Sequence, residues 1–258
     1  MFRITLMFSI LFSFSVIAVG QQPAAQPTAE QKKADDLAHR AADFAGATAL
    51  NNARYIAFTF RVERDGKEIS AFTQRLDRVT GDYKVSGKRP DGIPFETTVN
   101  IVKRSVRGSI NGKVVTEKDK LEELFTIASR RFTNDMNWLL MPLELFSPGI
   151  HRAYDGERSD SCGRTWDLLK LTFDPGLGFT TGENYWLWIN RDTGLVDEWD
   201  IQLTGNQAGE GPLEVYLHDY RRVGSFLLSL RRDVKGKNQV MRFDDLQVLA
   251  LTPKDAFK

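Results

Sequence analysis

Three histidines and one cysteine are the side chains of this sequence best suited to bind a transition metal or act as a nucleophile. His39, His151 and His218 lie far apart, and none has a second histidine or cysteine at the short spacing of a zinc site. Cys162 lies in Ser159-Asp160-Ser161-Cys162-Gly163, which lacks the glycine-flanked turn of a hydrolase nucleophile. We therefore predict no metal site, and we interpret Cys162 as a small loop residue.

Two pairs of adjacent carboxylates, Asp197-Glu198 and Asp244-Asp245, fall in segments with the pattern of strands. Neighbouring side chains of a strand point to opposite faces, so neither pair can share a proton as a catalytic dyad does. Gly176 and Gly178 follow Asp174-Pro175 in a turn that opens no helix, unlike a phosphate-binding loop. Because no acid, base, metal or cofactor set converges, we predict that the protein is not an enzyme and uses no cofactor.

The charged residues are nearly balanced, with 35 Lys and Arg against 34 Asp and Glu. A chain with a net charge of only +1 and no sustained basic stretch has no electrostatic footprint for nucleic acid, so we predict no binding to nucleic acid. A single cysteine allows no disulfide within the chain. A hydrophobic core must therefore hold the fold together, and a chain of this length can build one.

Residues 1–20 have the layout of a secretory signal peptide. Arg3 precedes an apolar run that ends in Ala18-Val19-Gly20, the small residues that signal peptidase requires. The run is nearly long enough to span a bilayer, so an uncleaved anchor is the alternative. The Pro/Ala/Gln-rich spacer of residues 21–30 favours cleavage before Gln21. Since no cysteine starts the mature chain, we expect a periplasmic protein with neither an N-terminal lipid nor a transmembrane segment.

A helix followed by short strands is predicted for the first half of the chain. Thr28 and Gln31 form a capping-box pair, apolar residues then recur at helical spacing, and Gly46 ends the helix. Beyond it, apolar and polar residues alternate between glycine-containing turns, as in antiparallel hairpins. The strands are predicted near residues 55–62, 67–78, 82–88, 93–103, 105–110 and 113–116.

The apolar spacing becomes helical again from residue 117 to about residue 145. Asn134 is predicted to cap the second of two helices there, and Pro142 to end or bend it. Strands resume near residues 165–173, 183–190, 195–204, 213–223, 225–232 and 238–249.

These elements predict a single domain over residues 31–258, of the mainly β class with helices (α+β). A sheet of about ten strands should curl rather than stay flat. We expect a strongly curved antiparallel sheet that forms an incomplete barrel, with helices covering its concave face.

Three segments resemble the LolA/LolB-like superfamily of outer-membrane lipoprotein carriers, in an uncharacterised exported branch. They are FDPGLGFTTGENYWLWINRDTGLVDEWDIQL, LHDYRRVGSFLLSLRRDVKGKNQVMRFDDLQV and RRFTNDMNWLLMPLELFSPGI. The resemblance implies the same incomplete barrel, whose best-known members carry acyl chains on the concave apolar face. The family's lid-contacting arginine has no assigned match here, although Arg61 and Arg75 lie on predicted strands. The lipidated cysteine of the membrane-anchored receptors is absent.

An apolar ligand would be bound by side chains that recur every second residue on the strands, joined by one tryptophan of the helical segment. The predicted ligand-binding residues are Ile56, Phe58, Phe60, Trp138, Trp186, Trp188, Trp199, Ile201, Phe226 and Leu228. The strand that holds Trp199 alternates regularly, with Asp197 as the one polar residue on its apolar side. Core packing is the alternative interpretation of every one of these positions.

Two hypotheses about function follow. The first is a periplasmic binding or carrier protein that holds a lipid or another amphiphile in an apolar cavity. The second is an envelope protein-interaction module whose helices fill its own core and which binds a protein partner. A hydrolase has the least support. An open cavity on the concave face would distinguish the first hypothesis from the second.

Overall fold

The computed structural model describes residues 27–175, 184–202 and 211–258. The predicted signal peptide lies outside the described residues, as does the predicted glycine turn at Gly176 and Gly178. None of the helices in the described ranges is long and apolar enough to cross a membrane.

Thirteen strands in the described ranges form one antiparallel sheet. They are β1 (Tyr55–Arg64), β2 (Lys67–Asp77), β3 (Asp82–Lys88), β4 (Pro94–Asn100), β5 (Ser105–Ile110), β6 (Lys113–Val114), β7 (Ile150–Ser159), β8 (Thr165–Phe173), β9 (Asn184–Asn190), β10 (Val196–Gln202), β11 (Leu213–Val223), β12 (Phe226–Val234) and β13 (Gln239–Leu249). Their order in the sheet is β6-β5-β4-β3-β2-β1-β13-β12-β11-β10-β9-β8-β7. The two edges do not pair, so the sheet is curved and open, and the predicted fold class is confirmed.

In the described ranges, the chain passes from one edge of the sheet to the other only once. From β1 it runs outward strand by strand to the edge at β6, and from the opposite edge at β7 it returns to β13, which pairs with β1. The single connection between the two edges contains helix α2, Lys118–Leu140. A helix of this length spans about 35 Å, enough to cross the mouth of a curved sheet. The topology therefore places α2 across the concave face.

Helix α1, Ala29–Ala45, confirms the predicted first helix. The Thr28 side chain accepts a hydrogen bond from the Gln31 backbone N–H at 3.1 Å, and Gly46 ends the helix with a φ of 89°. A Cβ on Gly46 would collide with the carbonyl oxygen of Ser225, so a larger residue fits neither the conformation nor the space. The helix packs its alanine-rich face on β7, β8 and β12.

The prediction of two helices between residues 117 and 145 is wrong. One continuous helix, α2, covers this stretch, followed by a short 3₁₀ helix at Met141–Leu143 that contains Pro142. Asn134 does not cap a helix, because its side chain donates to the neighbouring Asp135 at 2.6 Å. The apolar stripe continues from Ala128 to Phe132, four residues apart, so one helix buries both halves on a single face.

Strand β7 was not predicted. Its residues alternate between half-buried and exposed positions, and it carries few apolar side chains. Ile150 and Tyr154 reach the core, while Arg152 faces the same side and donates to Asp35 on α1 at 2.9 Å. A strand at the edge of a sheet pairs with one neighbour only, and β7 is buried on only one of its faces. Its sequence therefore contains few apolar residues from which a strand could be predicted.

Most buried apolar side chains belong to one cluster between the helices and the concave face. A smaller cluster on the outer face joins Tyr55 and Ala57 of β1 to Ala256 and Phe257 near the C-terminus. This C-terminal segment is held through its backbone oxygens by the side chains of Arg75, Lys84 and Arg107.

Candidate functional site

Eight of the ten predicted ligand-binding residues meet in the concave interior. Each is at most 9% exposed and belongs to the main core cluster; they are Ile56, Phe58, Phe60, Trp138, Trp199, Ile201, Phe226 and Leu228. The period-two spacing of the strand residues brings them to one face, as the sequence predicted. Whether they contact a ligand stays a prediction.

Trp186 and Trp188 lie on the opposite face of the sheet. Their strand neighbours Tyr185, Leu187 and Ile189 enter the main core, so the two tryptophans point outward. The indole N–H of Trp186 donates to Asp155 at 2.7 Å, and that of Trp188 donates to Asp200 at 2.9 Å. These two residues therefore do not line the same surface as the other eight.

Aromatic rings dominate the interior beneath the C-terminal half of α2. Trp138 meets Trp199 of β10 with ring centroids 4.8 Å apart, and Trp199 meets Tyr185 of β9 at 5.4 Å. Phe173 of β8 extends the row, 4.8 Å from Tyr185. The Trp199 indole N–H is buried without a hydrogen-bond partner. The row forms an apolar surface that extends across three strands, β8, β9 and β10. A ligand could contact this surface if α2 moved away from it.

A buried polar network connects the middle of α2 to the sheet. Asp135 is fully buried and accepts a hydrogen bond from the Gln74 side chain, which in turn accepts one from the Tyr83 hydroxyl at 2.6 Å. The Arg131 guanidinium lies 3.5 Å from the other Asp135 oxygen. Burial raises the pKa of Asp135 to about 6, although Arg131 acts in the opposite direction. The helix is thus held to the sheet partly through an ionisable group.

A β-bulge corrects the predicted position of Asp197. The register between β9 and β10 shifts between Val196 and Glu198, so Val196 turns into the core. Asp197 instead lies on the outer face, where it accepts from the indole of Trp166 and from Asn190, both at 2.8 Å. The interior side of β10 is therefore apolar where the alternation alone predicted a carboxylate.

Three carboxylates converge on the outer face near Trp188. Glu198 and Asp200 lie two residues apart on β10, and Glu214 lies directly across from Asp200 on β11. One oxygen from each falls within 4.8 Å of the others, a spacing that could hold a cation. Burial, together with Asp200, raises the pKa of Glu198 to about 8. Lys235 forms an ion pair with Glu214. The sequence analysis missed this group because it paired carboxylates that are adjacent in the sequence. Residues on the same face of a strand are two positions apart, as Glu198 and Asp200 are.

A cleft lies between β12 and β13, where the two strands stop pairing. The ladder that joins these strands ends at the pair Arg231 and Arg242, although both strands continue beyond it. The cleft has a volume of about 550 Å³ and is lined by outer-face residues such as Arg231 and Arg242 and by the inner-face residues Leu230 and Phe243. Most of its lining residues lie on the outer face, and Leu230 and Phe243 are the lining residues that also contact the main core cluster.

Arg232 is buried on the concave side beside this cleft. It is 1% exposed, and its guanidinium lies 4.6 Å from the ring centroid of Phe243. Sequence reasoning missed it, yet a signal was present. Arg232 occupies the apolar phase of the alternation that includes Leu228 and Val234.

A second cavity of about 220 Å³ lies near the outer edge of β3 to β5, against Phe257. Neither of these two cavities lies between α2 and the aromatic row. In the described parts of the chain, α2 packs its buried apolar side chains into the main core cluster on the concave face.

The architecture is that of the LolA-like fold: an open, curved antiparallel sheet with helices on its concave face. A LolA superfamily protein from Nitrosomonas europaea superposes with a TM-score of 0.51 at 10% identity, over 87% of this chain and 97% of that one. A putative outer membrane lipoprotein-sorting protein domain from Vibrio parahaemolyticus gives a TM-score of 0.45 at 10% identity, over 88% and 97%.

The lipoprotein LppX of Mycobacterium tuberculosis gives a TM-score of 0.29 at 13% identity, over 83% of this chain and 96% of that one. No protein-family model matches the sequence, and no curated protein matches it. At 10% identity, the likeness to the Nitrosomonas europaea protein is one of fold alone.

Proposed function

We propose that this protein is exported to the cell envelope and binds a lipid or a similar amphiphile, whose acyl chain occupies the concave apolar face when α2 moves aside. The observation that carries the proposal is the interface of α2 with the sheet. It covers a row of aromatic rings, but it contains the buried carboxylate of Asp135. A wholly apolar contact at this position would be the more stable one.

The energetics of exchange support a movable helix. An acyl chain gains about 0.8 kcal/mol for each methylene that it buries. When α2 moves away, Trp199 and Tyr185 lose their apolar contact with the helix. An acyl chain bound in its place would cover the same two rings. At the same time Asp135 would regain water, which recovers the desolvation free energy that its burial costs.

The test is native mass spectrometry of protein purified from a cell envelope, followed by titration of the delipidated protein with a fluorescent fatty acid. We expect a co-purified lipid mass and saturable probe binding that palmitate displaces. Trp199→Phe should weaken probe binding more than Trp186→Phe does, since only Trp199 lies in the concave interior. Absence of both a lipid mass and probe binding would refute the proposal.

Export is the second part of the proposal, and the layout of residues 1–20 supports it. N-terminal sequencing of protein from the periplasmic fraction is expected to begin at Gln21. A chain that begins at Met1 in the membrane fraction would contradict this.

A protein-interaction module is the second candidate. It is favoured by the packing of α2 into the main core cluster, where Trp138 meets Trp199 with ring centroids 4.8 Å apart. In that case the purified protein should carry no lipid, and crosslinking in the cell envelope should yield one partner protein. Substitutions in the interior would then lower stability without changing any ligand affinity.

A further inference from the structure

Arg232 carries a buried positive charge without a counter-charge. Its Nη1 atom donates to the carbonyl oxygen of Ser229 at 3.2 Å, whereas its buried Nε has no hydrogen-bond partner. No carboxylate of the described residues lies within ion-pair distance of it. Leu217 and Met241, which lie opposite Arg232 on the neighbouring strands, are both apolar.

The charge persists at neutral pH in spite of its surroundings. Burial lowers the pKa of the Arg232 guanidinium to about 10, which still leaves it protonated near pH 7. A charge that is desolvated and unpaired destabilises the folded protein, and a methionine of similar size would avoid that penalty. The position therefore has an N–H group, at Nε, without a hydrogen-bond partner and a positive charge that contacts the Phe243 ring but has no carboxylate partner among the described residues.

The β12–β13 cleft brings solvent close to this charge. Phe243 lines the cleft, and the Arg232 guanidinium packs against the ring of the same phenylalanine. The volume of about 550 Å³ lies within the usual range for small-molecule sites. Four arginines and three aspartates line the cleft, so its charged lining has only a small positive excess. Arg231 is paired with Asp233 at 2.8 Å and Arg242 with Asp244 at 3.9 Å.

We propose that Arg232 binds the negatively charged headgroup of the ligand, a carboxylate or a phosphate, and that the ligand reaches it through the cleft between β12 and β13. This inference rests on the proposed function. An amphiphile bound in this way has its head at Arg232 and its chain along the concave apolar face. A guanidinium suits both headgroups because its N–H donors match the spacing of their oxygens.

The test compares three ligands that share a sixteen-carbon chain, a length we choose for the probes. Palmitate carries a carboxylate, palmitoyl-lysophosphatidate a phosphate, and hexadecanol no charge. Each is titrated against a fluorescent fatty-acid probe on the wild-type protein at neutral pH. We expect at least one anionic ligand to displace the probe about tenfold more effectively than hexadecanol does, the size of one charge-assisted hydrogen bond. The better of the two anionic ligands identifies the headgroup.

The variant Arg232→Met removes the charge and retains the volume. It should bring the affinities of the anionic ligands down to that of hexadecanol while leaving hexadecanol unchanged. It should also raise the melting temperature of the unliganded protein, because an unpaired buried charge is gone. Arg222→Met is the matched control, since Arg222 is exposed on β11 and does not line the cleft.

The outcomes separate this inference from the function on which it rests. If all three ligands bind equally to the wild type, or if Arg232→Met weakens hexadecanol as much as palmitate, Arg232 is not the headgroup site and the amphiphile proposal survives. If no ligand binds, the proposed function itself fails. If Arg232→Met does not fold, the comparison of headgroups on the wild type decides alone.

Discussion

The indole rings of Trp138 and Trp199 meet edge to face, with centroids 4.8 Å apart and an interplanar angle of 62°. Trp138 lies near the end of α2, whose earlier turns pack on β3, β4 and β5. Trp199 lies on β10, six positions away from β3 in the order of the sheet. This contact therefore joins α2 to the far half of the sheet and closes the concave face.

Replacing Trp138 with alanine should test how much this closure contributes to stability. We expect the free energy of unfolding to fall by about 3–5 kcal/mol, because a large buried aromatic side chain is lost and a cavity remains. Equilibrium unfolding in urea measures the change. Leu251→Ala is the control, as Leu251 is 75% exposed, and it should change stability by less than about 0.5 kcal/mol. A loss of under about 1 kcal/mol for Trp138→Ala would mean that α2 is only loosely docked.

Phe60→Leu tests whether the interior is packed around β1. Phe60 is 2% exposed, and its ring lies 5.1 Å from that of Phe243. We expect a loss of about 1 kcal/mol or more, since a packed core does not refill the lost volume. Ile69→Val on β2, where Ile69 is 53% exposed, provides a control of similar chemistry. Unchanged stability of Phe60→Leu would indicate a cavity wall in place of a packed core.

The sequence predicted the two runs of antiparallel strands well because their alternation and turns are local. The turn at Asn190 to Gly194 and the αL glycine at Gly46 are specified by a few neighbouring residues. It did not predict β7, whose polar residues find their partners on other elements, as Arg152 does with Asp35 of α1. The sequence also predicted two helices in place of α2, because Asn134 has a local preference for helix caps. The apolar stripe that continues through this position is buried by the sheet, which is distant in the sequence.

The interior residues were more predictable than the polar groups within it. Phe58, Trp199 and Leu228 follow from the period of two. Asp135 was not predicted, since its burial depends on Gln74 and Tyr83, which lie far away in the chain. A bulge such as that at Asp197 has no strong sequence signal, yet it interrupts the alternation, so that Val196 and not Asp197 faces the interior while Trp199 keeps its predicted face.

The stability of the protein should depend on the ionisation of Asp135. Burial raises the folded-state pKa of Asp135 to about 6 from an ordinary value of 3.8. The folded state therefore binds the proton of Asp135 more tightly than the unfolded state does. The resulting contribution to stability is complete below pH 3.8 and is lost as the pH rises through about 6. Asp135→Asn does not titrate and can still accept the hydrogen bond from Gln74.

We therefore expect Asp135→Asn to gain stability relative to the wild type between about pH 4 and pH 7, by up to about 3 kcal/mol. Urea unfolding at a series of pH values measures the difference. Asp43→Asn, at an exposed position of α1, is measured in the same series as the control for the substitution itself. A difference between Asp135→Asn and the wild type that stays constant with pH would contradict a raised pKa of Asp135.

Glu198 should give a second pH dependence, at higher pH and on the opposite face of the sheet. Burial and the neighbouring Asp200 raise its folded-state pKa from 4.5 to about 8, because three carboxylates converge there and Lys235 offsets them only in part. The sign is the same as for Asp135: the contribution is complete below pH 4.5 and is lost as the pH rises through about 8. Wild-type stability should therefore keep falling above pH 7, where Asp135 is already ionised, and Glu198→Gln should remove that decline. Thermal unfolding between pH 6 and pH 9 measures it, with Asp135→Asn compared in the same buffers. If Glu198→Gln and the wild type decline in parallel, the three carboxylates do not share the repulsion that their spacing implies.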